Sequence, residues 1–278
     1  MSRSTRTSRP WSRLLDTAGL ILTGSATSRA QAQDLDLRLR RVLPLACRCL
    51  IIPTAPRVGS STTAIQLAAL LTRTRGLPGL LLDASEHPQD PRVPSWSPPS
   101  GGEAPGSAAQ AHAIVGITAD RLLGRLRLPV WRDLCPPQWE TIRSQLFRFH
   151  DTVLTETAPM HNAHVLAAAH HVHSLVLVSR ATREDVEATR ERIAVLSTPL
   201  AEAPRRPRLL HAVVATTPGP VLIPRLREQE VLIPFDSVLA RTTATQTTAP
   251  GLIERPTGVA LALLAACLID AAGPREDS

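Results

Sequence analysis

Four consecutive segments near residue 60 constrain this chain more than any other feature. CRCLIIPT (47–54) is a compact apolar stretch, and APRVGSS (55–61) breaks it with proline and glycine. TTAIQLAALLTRTRG (62–76) follows, carrying Ile65, Leu67, Ala68, Leu70 and Leu71 before a closing glycine, and GLLLDAS (79–85) is a second apolar run that ends in a carboxylate. The short runs read as buried strands and the middle segment as a helix stopped by Gly76. Strand, loop, helix and strand with connections this short form one crossover unit, whose two strands lie parallel in a sheet. The chain is thereby committed to a layered α/β fold.

The remaining pattern extends that unit. Strands are expected at 151–159 (DTVLTETAP), 174–180 (SLVLVSR), 209–217 (LLHAVVATT) and 230–236 (EVLIPFD). Helices are expected at 117–128 (ITADRLLGRLRL), 136–149, 161–173, 183–196, 221–228 (VLIPRLRE, helix-like) and 257–272. DLDLRLRR (34–41) reads as a short charged helix or an extended lead-in. Residues 86–110 are rich in Pro, Gly and Ser and read as an exposed loop without a packed core. The expectation is a doubly wound, mostly parallel sheet with helices on both faces, spanning 42–273, after a basic arm and lead-in at 1–41 and before a short tail at 274–278. With 278 residues and 43% hydrophobic content, mostly aliphatic, such a domain has material for a core but few aromatic anchors.

In an open parallel sheet, ligands bind beyond the carboxyl ends of the strands, where helix N-termini offer free N–H groups and partial positive charge. Three features converge there: the loop from Ala55 to Thr62, Asp83 after the second strand, and Glu156 at the end of a later one. Loop, Asp and Glu in that order are the spacing of a phosphate-loop nucleotide site.

At these residues the chain resembles the ParA/MinD class of deviant phosphate-loop ATPases, whose loop reads KGGxGKTT. The closest resemblance is to actinobacterial MinD-like proteins associated with type VII (ESX) secretion. WSRLLDTAGLILTG (11–24) is similar to their N-terminal lead, 58–85 to their loop, first helix and second strand, and FHDTVLTETAP (149–159) to the strand before their second switch. Residues 174–196 and VLIPFDSVLA (231–240) follow their later strands and IPxD turn. The resemblance implies ATP and Mg²⁺ as cofactors, with Arg57, Gly59, Ser60, Ser61 and Thr62 around the phosphates and Ser61, Asp83 and Glu156 near the metal. It also implies protein partners in the secretion apparatus and a homodimer closed across the nucleotide.

The loop departs from the family where charge matters. All 31 basic residues are arginine, so no lysine exists to serve the site. Aligned through Gly59, Ala55 stands at the signature lysine, Pro56 and Arg57 at the glycine pair, and Ser60 at the phosphate-binding lysine. Asp83 and Ser85 replace the usual Asp-x-Asp or Asp-x-Asn, and Glu156 replaces an aspartate. Pro56 also removes one loop N–H. A charge-assisted hydrogen bond to phosphate contributes about 1.5–3 kcal/mol, and a cation on the transferring phosphoryl group about 10³–10⁵ in rate. Arg57 is the one cation the sequence places nearby. The leading expectation is a pseudo-ATPase that keeps the fold as a scaffold or regulator. The alternatives are an ATPase working with an atypical loop, and a ParA-like protein binding DNA nonspecifically.

The DNA alternative rests on charge distribution, since residues 1–50 hold nine arginines against three aspartates and supply +6 of the net +7. Phosphate contacts from such an arm would be strongly salt dependent. Biased composition explains the same charge without a nucleic-acid partner. The stretch 9–33 loosely imitates a signal peptide, but Asp16 interrupts its short apolar segment, and no run is read as reaching the roughly 18–20 apolar residues that span a bilayer. A cytoplasmic protein with Cys47, Cys49, Cys135 and Cys267 as buried, reduced thiols is expected. His161, His164, His170, His171 and His173 resemble a metal cluster, yet no ligand spacing supports one, and a solvated helix is expected there. The closing apolar helix is expected to be buried.

Overall fold

The structure is a computed structural model, and it describes residues 26–85, 91–97, 104–117, 122–130, 136–242 and 246–273. The basic arm through residue 25, Cys135, the tail at 274–278 and parts of the 86–110 stretch lie outside the described residues.

In chain order the elements are α1 (Ala26–Leu39), β1 (Cys47–Pro53), α2 (Ser60–Arg75), β2 (Gly79–Ala84), α3 (Ala108–Ile114), β3 (Gly116–Ile117) and β4 (Leu123–Arg127). They continue with α4 (Pro136–Leu146), β5 (Thr152–Thr157), α5 (Asn162–Ala169), β6 (Ser174–Arg180), α6 (Arg183–Glu202), β7 (Arg208–Val214), β8 (Glu230–Ile233), α7 (Ser237–Arg241) and α8 (Arg255–Ala272). The strands form one eight-stranded sheet in the order β3-β4-β2-β5-β1-β6-β7-β8, parallel except for the β3–β4 pair.

Why β1 sits at the centre follows from its composition. Every residue of CRCLIIP is buried, so the strand needs cover on both faces and pairing on both edges. It pairs with β5 from Cys47↔Thr152 to Ile51↔Glu156, and with β6 from Cys49↔Ser174 to Pro53↔Val178. Its alternating side chains feed two cores. Cys47, Cys49 and Ile51 face α1, α2 and α8, while Leu50 and Ile52 face α3, α4, α5 and α6. Helix α2 is buried nearly all round and closes at Gly76, whose left-handed φ of 66° lets its N–H reach the Thr72 carbonyl.

Buried ion pairs clamp the periphery. Arg75, at the end of α2, forks onto Asp151 just before β5 and donates to the Leu39 and Arg41 carbonyls beyond α1, at 2.7 and 2.9 Å. Arg38 donates to Asp270 of α8 at 2.7 Å, which seats α1 beside Leu35 and Leu39 in the core. The lead-in is therefore a helix, and it begins earlier than residue 34.

Several expectations are corrected. The 117–128 helix is instead β3 and β4, among the residues described there, because Gly124 lies where a Cβ would be 2.9 Å from Val115 Cγ2. A side chain at 124 would crowd Val115, and glycine, which leaves that space, is disfavoured in a helix interior. VLIPRLRE (221–228) is not helical, since Pro224 would interrupt the ladder and Leu222 is exposed. The 86–110 stretch is not wholly exposed: Val93 is buried, and the amide of Trp96 donates to the Arg127 carbonyl at 2.6 Å. Helices α3 and α7 were not anticipated. Cys47 and Cys49 are buried free thiols as expected, but Cys267 is only partly buried. Burial pushes Cys49 up to about 12 and Cys47 still higher. The closing helix α8 is buried over most of its surface, as expected, although by length and composition it is apolar enough to cross a membrane.

A buried polar network stands in for a turn signal between β7 and β8. His211 lies with Nε2 2.7 Å from Ser179 Oγ and Nδ1 3.3 Å from Glu230 Oε1. Arg190 of α6 forks onto Glu230 at 2.7 and 2.6 Å, and the Arg227 amide donates to the same carboxylate at 2.7 Å. Burial works to raise the Glu230 pKa, but the hydrogen bonds from Arg190, Arg227 and His211 outweigh it and hold the carboxyl at about 2. Its folded pKa lies below the ordinary 4.5, so the stability it contributes is full above that pH and is lost as pH falls toward 2. Glu230→Gln is expected to cost about 2–4 kcal/mol at pH 7, because Arg190 loses its counter-charge, and to blunt the acid loss below pH 4.5. Urea unfolding across that pH range checks both effects.

Candidate functional site

The sheet's order brings the three sequence-predicted parts to one place. The loop after β1 emerges between β5 and β6, and Glu156 lies beside Ile51 on one edge and Asp83 on the other. Two contacts hold the loop: Thr54 donates through its amide and hydroxyl to the Val178 carbonyl at 2.9 and 3.0 Å, and Arg180 Nη2 donates to the Pro56 carbonyl at 2.9 Å. Arg57 is exposed and adopts a left-handed φ of 59°. Gly59 turns the chain into α2 with φ 86°, and a Cβ there would lie 3.0 Å from Val214 Cγ1. Glycine is thus required twice over, by backbone conformation and by space. No side chain caps the first turn of α2, so its N–H groups keep the partial positive charge that suits an anion.

The first two hydroxyls of α2 meet a carboxylate. Ser60 Oγ donates to Glu156 Oε1 at 3.0 Å and Ser61 Oγ donates to the same oxygen at 2.5 Å. Glu156 is only 4% exposed. Burial first, and then the nearby Asp83 charge, raise its pKa to about 7 against the pull of the Ser61 and Ser60 hydroxyls. Asp83 is itself engaged, its Oδ1 accepting from the Ser85 amide at 3.1 Å and the Ser85 hydroxyl at 2.6 Å. Ala55 packs against the apolar core.

Beside Gly59 lies a cavity of about 90 Å³, bounded by Thr62, Gln66, Thr216 and Phe235 among others. It is small against the roughly 300–1,000 Å³ of pockets that enclose a drug-sized ligand. Asp236 on its rim is occupied as the cap of α7, accepting from the amides of Val238 and Leu239 at 2.9 and 3.0 Å and of Glu254 at 2.7 Å. Gln66 is likewise tied to Gln246 and Thr248.

Arg57 is not the only cation near this end. Arg125 of β4, buried and paired in register with Leu81, acts on Glu156 to lower its pKa, as the weakest of five influences. Sequence reading missed it because a helix over 117–128 would have carried it elsewhere. The alternation in LGRLR was the available signal. The histidine tract has separated: His161 and His164 face each other with ring centroids 6.2 Å apart at the start of α5, while His173 follows the helix. Among the described residues, no three His, Cys, Asp or Glu side chains stand close enough to hold a metal ion.

The donor set does not fit Mg²⁺ and a triphosphate as it stands. The uncapped first turn of α2 is present, but Ser61, Asp83 and Glu156 are bonded to one another or to neighbours, and two carboxylates confront an incoming polyanion.

No protein-family model matches the sequence, and no curated protein matches it. Solved structures do share the fold. A plasmid partition protein of Borrelia burgdorferi bound to AMPPNP superposes with TM-score 0.53 at 13% identity, covering 79% of this chain and 98% of that one. A ParA family ATPase of Chlorobium tepidum superposes with TM-score 0.50 at 13% identity, covering 82% and 98%. The α/β architecture expected from sequence is therefore the fold that these two structures share.

Because Glu156 is held above the ordinary 4.5, the folded state keeps a proton that the unfolded chain has released between pH 4.5 and 7, and stability falls as pH rises through that window. Glu156→Gln is expected to raise stability at pH 8 by about 1–3 kcal/mol and to flatten this dependence. Thermal or urea unfolding of both proteins at pH 5 and pH 8 measures it.

Proposed function

We propose that this chain is a pseudo-ATPase of the ParA/MinD type, a scaffold or regulator that works with type VII secretion components in the cytoplasm. The observation that carries the first half is the pair of hydroxyls donated by Ser60 and Ser61 to one buried carboxylate oxygen. At the two positions where the family has its phosphate-binding lysine and its metal-binding hydroxyl, this chain bonds to itself. Glu156, one methylene longer than the family's aspartate, is what accepts both hydroxyls. The secretion link is supported by the sequence resemblance at 11–24, 58–85, 149–159, 174–196 and 231–240.

A second reading, a nucleotide-binding protein with an atypical loop, draws on the uncapped first turn of α2 and on Arg125 near the carboxylates. Arginine's broad planar head suits bidentate pairing rather than the narrow lysine position, which disfavours turnover by this route.

Isothermal titration with Mg-ATP decides between them. The proposal expects no saturable heat and ATP turnover no faster than buffer. A micromolar Kd that is lost in Ser61→Ala or Asp83→Ala overturns it. The scaffold half expects type VII components to be captured by the full chain equally with and without ATP. Capture that requires ATP sinks it.

A further inference from the structure

The opposite end of the sheet holds a charge that nothing in the phosphate-loop region uses. Arg48 is the second residue of β1, about 16 Å of strand away from Pro53. It is 7% exposed, and its Nε and Nη1 are buried with no hydrogen-bond partner among the described residues. The Phe147 ring lies beside it, its centroid 5.9 Å from the guanidinium carbon. Burial lowers its pKa, and so do the neighbouring charges of Arg205 and Arg143. Glu140, the nearby carboxylate, is already spent on Arg143, which forks onto it through Nε at 2.8 Å and through Nη2. The histidine tract borders the same place. His173 Nδ1 accepts the Arg48 amide at 3.1 Å, and His171 is influenced by Glu140, Arg143 and Arg205 together.

An unpaired buried guanidinium is costly, and its two bare donors call for an acceptor. Arg143 and Arg205 bring like charge to bear on Arg48, and Glu140, which acts on it as an opposite charge, is paired with Arg143, so the described surroundings are net positive. The residual charge matches a phosphate dianion better than a single carboxylate, and forked N–H donors suit phosphate oxygens. The depth of Arg48 favours a small ligand over the backbone of a rigid polymer.

We propose that Arg48, Arg143 and Arg205 form a binding site for a small phosphoanion, at the end of the sheet opposite the phosphate loop. Arg48 supplies the buried donors, and Arg143 and exposed Arg205 close over the anion from α4 and from the segment after α6.

Thermal unfolding of the full chain with sodium pyrophosphate as probe, against sodium chloride at equal ionic strength, tests this. The expected result is a saturable Tm rise of about 5 °C or more at a hundredfold excess over Kd. Arg48→Met should lose the rise. Should that variant fail to fold, Arg205→Gln, on the surface, should weaken binding about tenfold. Ser61→Ala should leave the response unchanged, which separates this site from the phosphate loop. A wild-type response no larger than the chloride control overturns the proposal, as does a response that persists in full in Arg205→Gln or disappears in Ser61→Ala.

Discussion

The architecture depends on covering β1. CRCLIIP is buried on both faces and hydrogen-bonded along both edges, a condition met only by a central strand in a sheet with helices on each side. Its neighbours β5 and β6 begin from different parts of the chain, so meeting that condition pulls in β5 with Glu156 on one edge and β6 with Val178 on the other. Helices α2 and α8 then cover one face, and α3 to α6 the other. The loop after β1 has no freedom to be elsewhere than at the carboxyl end, where Gly59 turns it into α2.

That placement explains why Glu156 matters beyond its own contacts. A carboxyl buried beside Asp83 is an unfavourable feature of the fold, offset in part by two serine hydroxyls and by the field of Arg125. In a nucleotide-binding phosphate loop the helix N-terminus offers its amides to an anion from outside. Here an internal acceptor takes up the first two hydroxyls of α2. Ser60, Ser61 and Glu156 form a small hydrogen-bonded cluster, and Ala55 packs against the apolar core. Polar networks do similar structural work elsewhere, notably where His211, Glu230 and Arg190 anchor a connection that has no helix of its own.

Much of this was legible in the order of segments. The β1, α2 and β2 unit, β5, β6 and α6 were all readable because each has one dominant periodicity and a clear terminator. That Gly59, Asp83 and Glu156 lie near one another was readable because the carboxyl ends of the strands in a parallel sheet share one edge. What was not legible had local signals that tertiary contacts overrode. LGRLR looks helical beside its leucine-rich neighbours, yet it is a strand because it pairs along the edge of β2, and Gly124 leaves room for the Val115 side chain. VLIPRLRE was read by apolar spacing, and its proline decided otherwise. Helix α7 depends on a cap from Asp236 that spacing alone did not reveal.

The sequence by itself determined the fold class, the location of the loop and the absence of lysine there, since these follow from periodicity, chain order and composition, which are properties of neighbouring residues. Only the tertiary structure decided where the remaining charges go. It brought Arg125 toward Glu156 from an edge strand, turned Ser60 and Ser61 onto one carboxylate oxygen, and left Arg48 buried at the far end of β1 without a hydrogen-bonded acceptor among the described residues. Electrostatic pairing depends on distance and burial across strands far apart in sequence, and neither quantity exists until the sheet has formed.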